Sequence, residues 1–193
     1  MIGFDAIILA GGRGSRLGGL RKPELALDGR RLLDRALTAA AGARRLVVVG
    51  DAEVPDGVPR TREDPPYGGP VAALAAGMAF LPEHAPWTLV LASDLPAVEA
   101  AVATLLAVEP DGDGCCLVDA GGRLQWLLGY YRTDALVARL ADRGDPPLTA
   151  MYRLLEPLRL RGVAVEPELT ADVDTPSDAD RWGIALPHPP QQP

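Results

Sequence analysis

The chain has 193 residues, of which 48% are hydrophobic and 23% charged, a composition typical of one compact α/β domain. Its formal net charge of −7 argues against binding to nucleic acid or to an anionic membrane, because both require a basic face. Cys115 and Cys116 are adjacent, so on a strand they point to opposite faces and make a poor disulfide or metal clamp. We expect a single cytoplasmic domain over residues 1–185, because the apolar N-terminal run is too short for a signal peptide or a membrane span.

Short apolar runs alternate with helical patterns along most of the chain. The predicted strands are 5–9, 46–49 and 88–91, and the predicted helices are 31–41, 71–81 and 98–108. Continuous apolar strands bounded by helices indicate a parallel sheet that is covered on both faces. We therefore predict an α/β fold of three layers, with a doubly wound, mostly parallel, Rossmann-like sheet.

The pattern changes after residue 113. Residues 115–119 and 124–131 flank a glycine-containing turn, which predicts an antiparallel hairpin. Helices are predicted near 133–141 and 148–155, followed by a strand near 158–165 and a last helix from about Pro176. The tail, residues 186–193, is too rich in proline to pack, and we predict that it is disordered.

A glycine-rich turn follows the first strand directly and extends from Leu9 to Lys22. Its five glycines let backbone N–H groups approach an anion, and its three arginines and one lysine concentrate cations on an acidic chain. The dinucleotide fingerprint fails because Leu17 replaces its third glycine, and a P-loop fails because Pro23 follows the lysine. The pattern suits the binding of a triphosphate while pyrophosphate departs. The alternative is a solvated surface loop.

Acidic residues follow the third apolar strand and precede the last helix. Asp94 ends that strand, where it would face the same crevice as the glycine turn or, alternatively, cap a helix. Residues 175–178 form a good helix start, which leaves Asp172 and Asp174 unexplained. Mg²⁺ bridging phosphate oxygens needs one or two protein carboxylates plus waters. Asp94 with Asp174 would meet that need if the sheet brings them together.

Two further features bear on function. Residues 62–70 form a proline- and glycine-rich loop that would let the backbone pack on a flat base, although an ordinary turn before a helix explains it equally well. His84 lies in a connection and His188 in the tail. Their positions argue against Ser-His-Asp hydrolysis and against histidine-based zinc sites.

Taken together, these stretches resemble the MobA-like nucleotidyltransferases, especially the molybdenum cofactor guanylyltransferases. That family opens with a strand and then Leu-Ala-Gly-Gly-x-Ser/Ala-x-Arg-Met-Gly-x-x-x-Lys, which is similar to residues 9–22. Its aspartate before a Gly-Pro-Leu-Ala-Gly loop resembles Asp64 and residues 69–72. Its Asp-Leu/Met-Pro resembles residues 94–96, and its late Asn/Asp-x-Asn/Asp-Thr-Pro-Glu-Asp resembles residues 172–178.

The resemblance implies a fold of the nucleotide-diphospho-sugar transferase type and transfer of GMP from GTP to molybdopterin or its molybdenum form, with release of pyrophosphate. This reaction belongs to molybdenum cofactor biosynthesis and uses Mg²⁺. The resemblance also implies roles for residues: Leu9, Ala10, Gly11, Gly12 and Asp64 would contact the nucleotide, Arg16 and Lys22 would hold phosphates, and Asp94 with Asp174 would hold the metal.

Three departures from the family pattern leave base and acceptor open. Gly14 replaces Ser/Ala, Arg21 stands where Asp is common, and Trp126 replaces the proline of a Gln-Pro-Leu motif on the acceptor side. The alternatives are a molybdopterin cytidylyltransferase, a sugar-phosphate nucleotidyltransferase, or a noncatalytic nucleotide-binding module. Lys22 and the metal carboxylates argue against the last, because a degenerate binder need not keep them.

Overall fold

The computed structural model describes residues 3–12, 17, 19–142, 144 and 150–186. Its strands are β1 (Phe4–Leu9), β2 (Ala26–Leu27), β3 (Arg30–Arg31), β4 (Leu46–Val49), β5 (Arg60–Thr61), β6 (Trp87–Ala92), β7 (Gly114–Val118), β8 (Leu124–Arg132) and β9 (Leu160–Ala164). Its helices are α1 (Leu32–Ala39), α2 (Pro70–Phe80), α3 (Val98–Ala107), α4 (Thr133–Ala141), α5 (Met151–Leu155) and α6 (Pro176–Arg181). The two-residue strands β2, β3 and β5 escaped sequence prediction, because two residues carry no periodicity.

The central sheet has the strand order β5-β4-β1-β6-β8. Strands β5, β4, β1 and β6 run parallel, whereas β8 runs antiparallel to β6, with Leu91 opposite Leu128. The whole of β1 is buried, as expected of a parallel strand covered on both faces. The order places β1 and β8 on opposite sides of β6, so Asp94, just beyond β6, lies between the segments that follow β1 and precede β8.

Two apolar clusters cover the two faces of this sheet. One joins the even-numbered residues of β1 to α1 and α3, and the other joins Ile7 and Leu9 to α2, α4 and α5. This arrangement confirms the predicted three-layer, doubly wound fold. Helix α2 packs especially closely, because a Cβ on Gly77 would lie 2.7 Å from Cγ2 of Ile7.

The predicted hairpin is formed by β7 and β8. The backbone N–H of Asp119 donates to Arg123 O at 3.0 Å near the turn, and that of Arg132 donates to Asp113 O at 2.9 Å at the other end. On its other side β7 pairs in parallel with β9, the strand predicted near 158–165. Strand β8 therefore adds antiparallel pairing beside the parallel strands, and β7 with β9 adds one more parallel pair.

A third apolar cluster joins the two ends of the chain. Leucines from 17 to 32 pack there against Val173, Ala179 and Ile184. Leu186, the first residue of the predicted disordered tail, is half-buried against this cluster, and residues 187–193 lie outside the described residues. Among the described helices, none combines the length and the apolar character needed to cross a membrane.

Candidate active site

A cleft of about 1280 Å³ opens at the carboxyl ends of β1 and β6. This is the edge at which open α/β sheets bind ligands. One side is lined by the turn after β1 and by the loop before α2, and the other by the β7–β8 hairpin and α5. The main lining residues are Leu9, Gly11, Gly12, Lys22, Glu63, Tyr67, Gly69, Pro70, Asp94, Asp119, Arg123, Gln125, Trp126, Met151, Tyr152 and Asp172.

The glycine turn is held in place by the backbones of its neighbours. Ala10 N donates to Val49 O at 2.8 Å, and Ser93 N donates to Leu9 O at 3.1 Å. Gly50 permits this packing, because a Cβ there would lie 2.4 Å from Ala10 O and its φ is 138°. The exposed backbone of Gly11 and Gly12 is therefore presented to the cleft on a fixed support. Residues 13–16 and 18 lie outside the described residues, and the predicted phosphate contact of Arg16 falls among them.

Lys22 joins the start of the chain to two distant carboxylates. Its Nζ lies 3.0 Å from Oδ2 of Asp94 and also donates to Oδ1 of Asp174. The Lys22 and Asp94 side chains are only 21% and 20% exposed. Partial burial lowers the pKa of Lys22, but the charges and hydrogen bonds of Asp94 and Asp174 outweigh it and raise that pKa above its usual value. The ammonium is therefore positively charged at neutral pH.

The structure brings Asp94 close to the late acidic segment, as the predicted pairing of Asp94 with Asp174 requires. Carboxylate oxygens of Asp94, Asp172 and Asp174 lie within 4.8 Å of one another. Val173 N donates to Asp94 O at 3.1 Å, which attaches the segment to the end of β6. Although Asp172 is partly exposed, desolvation and then the charges of Asp94 and Asp174 raise its pKa above the usual value.

Helix capping accounts for the residues that follow these carboxylates in the chain. Thr175 and Asp178 form the predicted capping box of α6, and Oδ2 of Asp178 also accepts from Asp174 N at 3.2 Å. Helix α3 begins after Ala97 without a side-chain cap. Asp94 is therefore not an N-cap.

The loop before α2 presents a different acidic residue from the one singled out in the sequence. Asp64 is exposed and does not line the cleft, whereas Glu63 lines it and is only 9% exposed. Oε1 of Glu63 accepts from Tyr67 N at 3.0 Å. Sequence reasoning passed over Glu63, because neighbouring carboxylates in an irregular loop carry no periodicity that shows which one faces inward.

The hairpin side of the cleft carries polar and aromatic residues whose roles the sequence did not reveal. Asp119 accepts from the backbone N–H of Gly121 and Arg123, and these bonds hold its pKa below the usual value. Oδ2 of Asp119 also accepts from Gln125 Nε2 at 2.9 Å. Turn glycines next to an aspartate were the signal that could have shown this network.

Neither the two cysteines nor His84 lines the cleft. Burial raises the pKa of Cys115 to about 11 and that of Cys116 to about 12, so both thiols stay protonated and unreactive. His84 is exposed in a loop and does not line the cleft, while His188 lies outside the described residues.

The fold and the cleft define an α/β protein that presents a glycine turn, a lysine and carboxylates at one edge of its sheet. A family model for the MobA-like NTP transferase domain matches residues 6–162. The chain therefore belongs to the MobA-like NTP transferase domain family, a family of nucleotidyltransferases. Asp172 and Asp174 lie beyond the matched residues.

Similar proteins agree with this assignment. The molybdenum cofactor guanylyltransferase of Acidiphilium cryptum (strain JF-5) is 29% identical over 184 residues, which cover 91% of this chain and 91% of that protein. The structure of molybdopterin-guanine dinucleotide biosynthesis protein A from Archaeoglobus fulgidus superposes with a TM-score of 0.67 at 20% identity, covering 92% of this chain and 96% of that one. The inositol-1-phosphate CTP transferase from T. maritima gives 0.69 at 15% identity, covering 95% of each chain. These structures share the nucleotide-diphospho-sugar transferase fold.

Proposed function

We propose that this protein transfers GMP from GTP to molybdopterin, or to its molybdenum form, and releases pyrophosphate in molybdenum cofactor biosynthesis. The observation that carries the proposal is the meeting of Lys22 with Asp94 and Asp174 beside a glycine turn. Phosphoryl chemistry of this kind needs positioned cations and backbone N–H groups but no covalent nucleophile from the protein. The relationship to a molybdenum cofactor guanylyltransferase supports the choice of nucleotide and acceptor.

The reaction divides the cleft into two sides. The triphosphate lies along Leu9, Gly11 and Gly12, whose backbone the strand ends hold still. A phosphate oxygen of the acceptor, bound on the hairpin side, attacks the α-phosphorus. A new P–O bond forms there, the bond from the α-phosphorus to the oxygen bridging it to the β-phosphorus breaks, and pyrophosphate leaves with that electron pair. Lys22 moves from its carboxylates to the phosphates and neutralises the charge that develops on them.

The carboxylate cluster suits Mg²⁺. It offers oxygen ligands from Asp94, Asp172 and Asp174 within 4.8 Å of one another, and its partial exposure leaves room for waters and phosphate oxygens. Asp94 and Asp174 would hold the ion, with Asp172 as the alternative second ligand. When bound, the ion would neutralise triphosphate charge and help to orient the α-phosphate.

Base selection rests on backbone rather than on charged side chains. Gly69 and Pro70 line the cleft beside Tyr67 and present a flat surface that suits a purine. Guanine is distinguished from adenine by hydrogen bonds to O6 and N2, for which backbone groups near Leu9 and Gly11 are in reach. A wrong base would leave these groups unpaired, at a cost of a few kcal/mol.

The test measures binding of GTP, CTP, ATP and UTP with Mg²⁺ by calorimetry, and then pyrophosphate release in the presence of molybdopterin. We expect GTP to bind most tightly and to be the donor in turnover. Tighter binding of CTP would replace the proposal with a cytidylyltransferase. Binding of GTP with no turnover on molybdopterin, but turnover on a sugar phosphate, would change the acceptor, and absence of all turnover would indicate a noncatalytic binder.

A further inference from the structure

The cleft is larger than most sites for one small molecule. Its volume of about 1280 Å³ exceeds the range of about 300–1000 Å³ that is usual for single small-molecule sites. The cleft extends along β8 and α5, on the side away from the glycine turn. Leu124, Trp126, Met151 and Tyr152 give this side an apolar and aromatic surface, next to the polar residues of the hairpin.

Trp126 lies next to the reaction centre. The paired part of β6 and β8 ends at Leu91 opposite Leu128, and beyond that end Asp94 and Trp126 line the same cleft. Trp126 is half-buried, lines the cleft, and packs against the apolar cluster that contains Met151. Its remaining surface is therefore available to a ligand in the cleft.

The backbone that carries Trp126 is anchored from inside the protein. The hydroxyl of Tyr131, a fully buried side chain, donates to Trp126 O at 2.7 Å and lies 2.9 Å from Sγ of Cys116. Gly129 makes room for this contact, because a Cβ there would lie 2.3 Å from the Tyr131 ring. The hydrogen bond from buried Tyr131 to the Trp126 carbonyl restricts movement of the indole. A ligand that stacks on the indole therefore loses little binding energy in ordering the site.

Gln125, the residue before Trp126, offers a hydrogen-bond acceptor. Because ionised Asp119 only accepts hydrogen bonds, its partner on Gln125 is the Nε2 amino group, at 2.9 Å. The Oε1 of Gln125 is thereby left as the acceptor, and none of the described residues donates to it. On α5, Tyr152 is 46% exposed and its hydroxyl accepts from Arg153 Nε at 2.9 Å.

We propose that Trp126 is the residue that selects the acceptor, by stacking on a planar N–H-bearing heterocycle in the cleft that Gln125 also lines. This inference rests on the proposed function only in one respect, namely that the acceptor carries the phosphate that attacks the nucleotide. An indole offers stacking to a flat ring and little to a polyhydroxylated sugar, so the subsite favours a pterin-like bicycle over a sugar phosphate. The proline that stands here in the family pattern could not supply this surface.

The experiment compares Trp126→Leu, which keeps apolar packing without an aromatic face, with Trp126→Phe, which keeps a smaller one. Pterin and inositol 1-phosphate serve as binding probes by calorimetry, and GTP with Mg²⁺ serves as the reference ligand. We expect Trp126→Leu to weaken pterin binding about tenfold, the order expected for loss of a stacking platform, and Trp126→Phe to weaken it less. GTP affinity and melting temperature should stay close to wild type in both variants.

Fluorescence provides a second readout. Pterin binding should quench tryptophan emission in the wild type and in Trp87→Phe, because Trp87 lies at the opposite end of β6 and stacks on Tyr130. The same quenching should be largely lost in Trp126→Phe. Unchanged pterin affinity in a folded Trp126→Leu protein, or tighter wild-type binding of inositol 1-phosphate than of pterin, would overturn the inference. Neither result depends on whether GTP is a substrate, so failure of the proposed function would be visible separately in the GTP and pyrophosphate measurements.

Discussion

Replacing Lys22 by methionine should change two properties in opposite directions. The Lys22 ammonium lies between Asp94 and Asp174, where it neutralises part of the charge of a cluster that also includes Asp172. In turnover the same ammonium is expected on the phosphates. Methionine keeps the length and apolar stem of the side chain but removes the charge. The variant should therefore lose turnover and, without nucleotide, bind divalent metal more tightly.

Both magnitudes follow from the contacts of Lys22. A hydrogen bond to a charged group contributes about 1.5–3 kcal/mol, so loss of the phosphate contact should lower kcat/KM about 10- to 150-fold. Two unit charges 4 Å apart near a protein surface interact by about 4 kcal/mol. The Lys22 ammonium and a metal ion bound to the same carboxylates would repel each other. Because Asp174 is 34% exposed, solvent weakens this repulsion, and we expect its removal to strengthen metal binding by about 1–2 kcal/mol, or 5- to 30-fold in affinity.

The assays are pyrophosphate release with GTP and Mg²⁺, and titration with Mn²⁺ in the absence of nucleotide, followed by electron paramagnetic resonance. Arg44→Met is the matched control, because exposed Arg44 pairs with Glu83 and does not line the cleft, so its loss should leave both readouts near wild type. Unaltered kcat/KM in Lys22→Met would refute the phosphate contact. Unaltered or weaker Mn²⁺ binding would refute competition between lysine and metal for the same carboxylates.

Three further changes test other parts of the site. Asp94→Ala should abolish turnover without unfolding the protein, and a folded variant that releases pyrophosphate near the wild-type rate would remove Asp94 from the metal site. Arg35→Met should lower kcat about tenfold, or about 1.4 kcal/mol, with little change in nucleotide KM. The Arg35 side chain donates to Pro96 O at 3.1 Å and pairs with Glu99, and these contacts support the turn that carries Asp94. An equal fall in kcat in a variant of exposed Arg44 would contradict this reason. Removal of residues 187–193 should change neither melting temperature nor activity, because their sequence has no apolar pattern to pack, and a fall of several degrees would refute this.

Elements that depend on local pattern could be predicted from the sequence. The buried strand β1, the turn after it and the position of Asp94 at the end of β6 all follow from continuous apolar runs that stop at polar residues. The capping box at Thr175 was predictable because its partners are three residues apart. In each case the physical cause lies within a few neighbouring residues.

Features that depend on long-range packing could not be predicted in the same way. Whether Glu63 or Asp64 faces the cleft depends on how the chain leaves the two-residue strand β5, which only its pairing with β4 determines. The hydrogen bond from the Tyr131 hydroxyl to the Trp126 carbonyl depends on a local irregularity of β8 and on the space above Gly129. The pairing of Lys22 with Asp174 joins residues 152 positions apart, and no local signal connects them.

The apolar cluster that joins the two chain ends has a consequence for synthesis on the ribosome. The glycine turn and Asp94 emerge early, whereas Asp172 and Asp174 emerge late, together with Val173, Ala179 and Ile184, which pack against the leucines near Lys22. Until then, a growing chain has its glycine turn, Lys22 and Asp94 without Asp174, the second carboxylate that pairs with Lys22. A nascent protein stalled before residue 172 should therefore bear a folded sheet yet be unable to consume nucleotide, so that catalysis starts only when translation of this segment is complete.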